Sequence, residues 1–332
     1  MKKLIDDTII FTDIYEKIYS KLECEIIYVF LCGGNCEDTK NHQIRNVIKN
    51  NLENFSKKGI KVLYPESLFF NKDGRTLASF FRKKDLLELE TILANNSNIV
   101  CIICESYGSA TELGAFTNYK EIDNNELLDK LVVVTYSKYK KDEPSFISEG
   151  PIKRLTYTKK KRSQHKIYEY TDEPKLTERE IKRNQKNLSL ELIDEFKKIC
   201  RQYKKQHDSS LFLHSQKPIK NFIGLAYLIL LLIYFYEYTK RDFIKVLITK
   251  ELRKLEIKTT SEFELFYKLA INFLLEDQGY IELKKRASSY CLTQKGLNYV
   301  KKVLSSSKVN FKEVDDIRRN IMYNQMYKQL YK

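Results

Sequence analysis

Tryptophan is absent from this 332-residue chain, and histidine occurs only four times, at positions 42, 165, 207 and 214. None of the four follows an apolar β-type run, so a nucleophile activated by histidine is not expected. There is no Walker loop and no G-x-G-x-x-G fingerprint. Long apolar runs are missing too. The run at 222–236 is short of the ~18–20 residues needed to span a bilayer, and it contains Gly224 and three tyrosines. It reads as a buried helix between domains, and no membrane partner is expected. The first ten residues hold Asp6 and Asp7 and no extended apolar core, unlike a signal peptide. The seven cysteines are an odd number, with four in or beside β-type runs, unlike a secreted disulfide framework. A reducing, cytoplasmic location is therefore expected. Cys101 and Cys104 have C-x-x-C spacing, but positions three apart on a strand point to opposite faces. They read as buried thiols, and no metal set is predicted. Internal repeats are lacking.

What is present describes a globular chain of about two domains, with 42% hydrophobic and 31% charged residues. The net charge of +15 is unevenly spread. Residues 1–150 carry 20 basic and 23 acidic side chains, 151–220 carry 19 and 9, and 221–332 carry 20 and 12. Only the later two segments have an electrostatic case for a polyanion such as a phosphate backbone. Ordinary solubility is the other reading of the same charge.

Apolar periodicity sets helices and strands in alternation. Residues 4–23 pattern as an amphipathic helix. A β-type run at 26–31 leads into Cys32, Gly33, Gly34 and Asn35. Two glycines there let a ligand approach the backbone closely, or simply make a tight turn. A helix over 42–55 carries Arg45, either solvated or set as a phosphate clamp. A strand at 60–64 precedes Pro65 and Glu66. The helix over 85–95 carries Glu88 and Glu90, which are two apart and cannot share a face, so at most one points at a site. Residues 99–116 read as a buried strand, a polar break and a helix beginning at Ser109. A strand at 131–135 follows, with edge strands expected at 152–157 and 167–170. The alternation predicts a parallel sheet covered on both faces.

Beyond the sheet lie a basic run at 159–162, a charged helix over 176–205 and a linker at 208–218. From 241 the order is helix, helix, then two strands joined by Lys284, Lys285 and Arg286. That is the order of a winged helix-turn-helix, with a basic wing tip suited to phosphates and the preceding helix facing a groove. Such a module also serves protein binding. A last amphipathic helix over 314–331 reads as an interaction tail. The fold class expected is α/β: a parallel Rossmann-like sheet, a mostly helical region and a C-terminal winged helix-turn-helix. The domains expected are 1–158, 159–220 and 221–332.

The chemistry centres on Glu112. Ser109-x-x-Glu112 has the spacing of a capping box, in which Ser109 bonds an early helix amide and Glu112 reaches back. The same glutamate falls at the carboxyl edge of a predicted parallel sheet, where open α/β folds bind ligands. The strand ends that would converge on it supply candidate substrate-binding residues Cys32, Gly33, Gly34, Asn35, Arg45, Glu66, Glu105, Ser106, Gly108 and Ser109. Several carboxylates without a metal cluster suit cleavage at the anomeric carbon of a nucleoside or nucleotide. One carboxylate meets the oxocarbenium-like centre, and another binds sugar hydroxyls or activates water.

Residues 31–34 (Leu-Cys-Gly-Gly), 64–66 (Tyr-Pro-Glu), the helix over 86–94 and residues 105–116 (Glu-Ser-Tyr-Gly-Ser-Ala-Thr-Glu-Leu-Gly-Ala-Phe) resemble the nucleoside deoxyribosyltransferase-like effectors of bacterial retrons. The resemblance covers about the first 150 residues, and the winged-helix end matches that family's two-domain layout. It implies that Glu112, preceding Leu113 and Gly114, is the nucleophile of an N-glycosidase, with NAD or a nucleotide as substrate and no cofactor. It further implies a toxic effector of anti-phage defence, restrained by a reverse transcriptase and multicopy single-stranded DNA with attached non-coding RNA until infection. A homo-oligomer or filament is among the assemblies implied. Two positions depart from the family pattern: Asn98, where an aspartate is usual, and Tyr107, where proline is usual. Two other readings compete: a non-catalytic, nucleotide-sensing DNA-binding regulator, and a scaffold in which Glu112 is only a helix cap.

Overall fold

In the computed structural model the apolar run around Ile99 becomes the middle of a five-stranded parallel sheet. The structure describes residues 6–22, 26–34, 44–57, 59–69, 85–117, 126–136, 148–156, 167–170, 176–207, 221–237, 239–254, 261–284, 286 and 288–330. Asn35, Lys285, the basic run 159–162 and the linker lie outside them. The chain forms two units. One comprises Glu25–Glu66 and Lys72–Leu211, the other Met1–Cys24, Ser67–Asn71 and Phe212–Lys332.

In chain order, helix α1 (Asp7–Asp13) runs on through a π turn, Ile14–Ile18, and a 3-10 turn, Tyr19–Lys21. Then come β1 (Ile27–Cys32), α2 (Ile44–Phe55), β2 (Ile60–Leu63), α3 (Pro65–Phe69) and α4 (Leu86–Asn95). The sheet continues with β3 (Ile99–Cys104), α5 (Tyr107–Thr117), α6 (Glu126–Asp129) and β4 (Leu131–Tyr136). A π turn (Ser148–Ile152), α7 (Lys153–Thr156), β5 (Ile167–Tyr170) and the 30-residue α8 (Glu178–His207) complete the first unit.

All neighbours in the order β2-β1-β3-β4-β5 pair in parallel. Every residue of β1 and β3 is buried, so both faces of the sheet's centre are covered, and continuous Val, Ile and Leu runs suit such strands. The chain passes from β1 to β2 on one side, then to β3 on the other. The carboxyl ends of β1 and β3 therefore flank the switch point, where such sheets open a crevice. At the opposite edge Asn98 is fully buried and locks β3 to β1: the Tyr28 amide donates to its Oδ1 at 2.7 Å. The family departure at Asn98 thus falls at the amino edge of the sheet, away from the crevice.

The strand expected at 152–157 is instead the π turn and α7, with Pro151 inside the turn. Proline has no N–H to donate to a ladder, which disfavours a strand there. The first unit also runs past the expected boundary at 158. β5 pairs with β4, and α8 packs along α2, with Asn51 Nδ2 donating to Ser189 Oγ at 3.1 Å.

In the second unit α9 (Phe222–Tyr236) is buried at all fifteen positions. It is the core of this unit rather than a connector. Asn221 caps it, accepting from the Ile223 amide at 2.8 Å, and Tyr19 Oη donates to the Gly224 carbonyl at 3.1 Å. No described helix is long and apolar enough to cross a membrane. Next come β6 (Thr239–Lys240), α10 (Arg241–Lys254), α11 (Ser261–Asn272), β7 (Ile281–Lys284), β8 (Ser289–Leu292), α12 (Gln294–Ser306) and α13 (Phe311–Leu330). The three strands form an antiparallel sheet in the order β6-β8-β7. β6 is too short for a periodic signal and was not legible beforehand. α12 follows β8 through Thr293, whose Oγ1 accepts from the Gly296 amide at 3.1 Å. A Cβ on Gly296 would stand 2.0 Å from the Tyr280 carbonyl oxygen, so only glycine fits this junction.

α11 does not present a face to a groove. Phe263, Leu265, Phe266, Tyr267, Leu269, Ala270 and Ile271 are buried, and Glu264 and Lys268 are half-buried. The apolar side chains that made it read as an amphipathic helix occupy most of its circumference. Lys284 and Arg286 are exposed near the β7–β8 turn.

Candidate functional site

The crevice is assembled from five short segments, three that follow β1, β2 and β3 and two that face them from α2 and α4. After β1, Gly33 and Gly34 are packed by protein. A Cβ on Gly33 would meet Arg45 Cδ at 3.2 Å, and one on Gly34 would meet Glu105 Oε1 at 3.0 Å. The Gly34 amide already donates to Glu105 Oε1 at 2.9 Å, tying the end of β1 to the end of β3. The glycines make room for these two side chains, and the Gly34 N–H is not an open anion donor.

Arg45 is neither solvated nor free to clamp a phosphate. It is 2% exposed, and all five of its N–H groups are taken. Nε and Nη2 donate to the Leu31 carbonyl at 3.1 and 2.8 Å, and Nη1 reaches the Gly34 carbonyl at 3.5 Å. Nη1 and Nη2 also hold the two oxygens of Glu66 at 2.8 and 3.1 Å. The guanidinium lies 4.4 Å from the Tyr64 ring centroid. Glu66 keeps a side chain 51% exposed while its orientation is locked by this fork.

After β3 the capping box is shifted by one turn from its expected position. α5 begins at Tyr107, so Ser106 is the cap and Ser109 already lies in the helix. Ser106 Oγ accepts from the Ser109 amide at 3.2 Å. Ser109 Oγ accepts in return from the amides of Ser106 at 3.0 Å and Glu105 at 3.2 Å. The reciprocal box is serine to serine, which leaves Glu112 with no capping task. Ser109 is buried and closes the turn, whereas Gly108 and Tyr107 are exposed. Tyr107 is 97% exposed in the position where proline is usual in the family pattern.

One turn further along, Glu112 is half-buried, and its Oε2 is sealed from solvent without a hydrogen-bond partner. Burial raises its pKa; the facing Cys32 thiol, within hydrogen-bonding reach, and the Arg45 charge oppose that rise. Cys32 ends β1, is 2% exposed, and has its own pKa pushed well up by burial and then by the charges of Glu112 and Glu90. Glu105 is raised chiefly by burial as well, with the Gly34 amide holding it down.

Glu90 is the residue that sequence reasoning left undecided. It is 6% exposed, the most buried of the carboxyls at these strand ends. Burial first, then the charges of Glu112 and Glu66, push its pKa up to about 8. The signal was present: Glu90, Leu93 and Ala94 have i, i+3, i+4 spacing, and all three are buried, whereas Glu88 is exposed on the first turn.

The structure thus links Cys32, Gly33, Gly34, Arg45, Glu66, Glu105, Ser106, Ser109 and Glu112 through contacts at the carboxyl ends of β1, β2 and β3, and adds Glu90. No cluster of three or more His, Cys, Asp or Glu with metal-binding geometry occurs among the described residues. Cys101 and Cys104 are buried free thiols in β3, raised by burial to about 12 and about 11. A carboxylate with a bare buried oxygen beside a neighbouring carboxyl that is protonated at neutral pH is a nucleophile-and-acid pair in form.

Comparison with known proteins bears on this arrangement. The "Retron Ec86 putative ribosyltransferase/DNA-binding protein" of Escherichia coli is 38% identical over 130 residues, covering 39% of this chain and 37% of that protein. The "Retron Ec73 putative ribosyltransferase/DNA-binding protein" of Escherichia coli is 31% identical over 173 residues, covering 50% of this chain and 49% of that protein. The chain therefore spans about half or less of the length of these two curated relatives. The family model described as STM3845 retron effector protein matches residues 41–283, a stretch that holds Arg45, Glu66, Glu90, Glu105 and Glu112. With most of its length inside that match, the chain belongs to the STM3845 retron effector family.

Proposed function

We propose that the crevice cleaves an N-glycosidic bond, with Glu112 as nucleophile and Glu90 as the proton donor and acceptor. The observation that carries this reading is the bare, buried Oε2 of Glu112 at the switch point of the sheet, with the capping role taken by Ser106 and Ser109. A Glu112 oxygen attacks C1′ and forms an ester, and the C1′–N bond breaks. The electron pair stays on the leaving nitrogen, which takes the Glu90 proton if the base leaves as an anion. A nicotinamide leaves neutral and needs no proton. Water then attacks C1′ and the Glu112 carboxylate is released; the water proton returns to Glu90 where Glu90 had protonated the base, and passes to bulk solvent where nicotinamide left neutral.

The charges suit a substrate whose leaving base is cationic, as in NAD. Arg45 is the cation felt by Glu90, Glu105 and Glu112, and it is already paired with Glu66. Among the described residues the other ionisable groups facing this space are carboxyls, which suits a cationic nicotinamide riboside. The names of the two relatives, which both include the word ribosyltransferase, support glycosyl chemistry. Incubation with NAD and with nucleosides tests the reading by release of nicotinamide or free base. Loss of release in Glu112→Gln is expected; equal release would overturn the assignment.

The second unit has the helix, strand, helix, helix, hairpin order of a winged helix-turn-helix, and the relatives' names include DNA binding. With α11 buried, contact to nucleic acid falls to the basic wing tip of Lys284, Lys285 and Arg286. The proposed setting is a retron, with the effector restrained by reverse transcriptase and multicopy single-stranded DNA until infection releases its toxicity. Binding of single-stranded DNA that weakens with salt, and weakens further when the three wing residues are changed to alanine, is the expected outcome.

A further inference from the structure

Arg45 and Glu66 leave half of a carboxylate facing the crevice with its orientation already fixed. Glu66 is the second residue of α3, just beyond β2, and both its oxygens are held by the Arg45 fork at 2.8 and 3.1 Å. A carboxylate has about four acceptor sites, so two remain beyond those used by the arginine. The side chain that carries them is 51% exposed. The other crevice carboxyls are differently engaged. Glu105 is bound to the Gly34 amide. Glu112 carries the sealed Oε2, and Glu90 is more than nine-tenths buried. Arg45 ties Glu66 to the Leu31 and Gly34 carbonyls, on either side of the Cys32 that faces Glu112.

We propose that Glu66 accepts the 2′- and 3′-hydroxyls of a ribose, so that the crevice selects ribonucleosides over their 2′-deoxy counterparts. The inference rests on the reading of the crevice as a nucleoside pocket and adds its sugar specificity. A vicinal diol offers two O–H donors side by side, the complement of the two remaining acceptor sites. An acidic side chain just beyond a strand of a parallel α/β sheet is a position from which ribose hydroxyls are held in dinucleotide-binding folds. Arg45 has already fixed the rotamer, so little side-chain freedom is lost on binding. A fully buried acceptor would reject the deoxy sugar by ~10⁴-fold or more. Glu66 is half-exposed and water replaces the missing hydroxyl, which lowers the expected preference to about 10–100-fold.

The test is calorimetric binding of adenosine and 2′-deoxyadenosine to the full-length Glu112→Gln protein, alongside turnover of both by the unaltered chain. Adenosine is expected to bind at least about tenfold more tightly. Glu66→Ala is expected to bring adenosine down to the level of 2′-deoxyadenosine and leave the latter unchanged. Glu66→Asp, which retains the charge for Arg45 but withdraws it from the crevice, is expected to fall between. Equal binding of the two nucleosides, binding of neither, or a preference that survives Glu66→Ala overturns the proposal. A preference without turnover in the unaltered chain leaves Glu66 in its role and refutes the cleavage reading. Turnover without a preference does the reverse.

Discussion

Replacing Glu90 by glutamine removes a buried carboxyl that the first unit holds in its neutral form. Glu90 is 6% exposed, and its pKa moves from 4.5 to about 8 because of burial and the facing charges of Glu112 and Glu66. A carboxyl whose pKa is higher folded than unfolded binds more protons in the folded state. Its favourable contribution is complete below about pH 4.5, declines as pH rises and is gone above about pH 8. At ~1.36 kcal/mol per pH unit the ceiling is about 5 kcal/mol. Water entry and relaxation of the crevice bring the expected value nearer ~2 kcal/mol. Glutamine has nearly the same shape and cannot ionise. Urea unfolding at pH 5, 7 and 9 should show the two proteins equal at pH 5 and the variant more stable by ~2 kcal/mol at pH 9. The same substitution should flatten the alkaline limb of the glycosidase pH profile for substrates whose base must be protonated. Stability curves that run parallel from pH 5 to pH 9 would refute the reasoning, because they would mean that Glu90 ionises as freely folded as unfolded.

Two further outcomes separate cap from catalyst and test the second unit. Ser106→Ala should cost about 0.5–2 kcal/mol by chemical denaturation through loss of the α5 cap, whereas Glu112→Gln should abolish turnover without lowering stability at neutral pH, since it removes a buried charge. Gly296→Ala should lower stability by about 2–4 kcal/mol, because its Cβ would overlap the Tyr280 carbonyl and force Thr293 and β8 apart. A melting temperature within a degree of the unaltered chain would show that this junction yields.

Much of the first unit was legible because the signals are local. Continuous β-branched runs at β1, β3 and β4, each followed by a polar break and a helical period, determine a parallel α/β sheet whatever surrounds them. The same reasoning put Glu112 at a strand end and the cysteines of β3 in the core. What sequence could not supply was the identity of partners at long range. Arg45 looks like any early-helix arginine until the fold brings Glu66, 21 positions on, against it. Glu90 looks like one of two surface glutamates until α4 turns it inward. Spacing alone admitted a Ser109–Glu112 capping box, and only the observed start of α5 transferred that role to Ser106 and Ser109. α11 had the periodicity of a groove-facing helix, but its burial depends on packing that its own residues do not encode. Element type follows from short-range backbone and burial preferences, which a sequence carries in its pattern. The state of a carboxyl or a guanidinium depends on which groups lie within a few ångströms of it, and tertiary structure alone decides that.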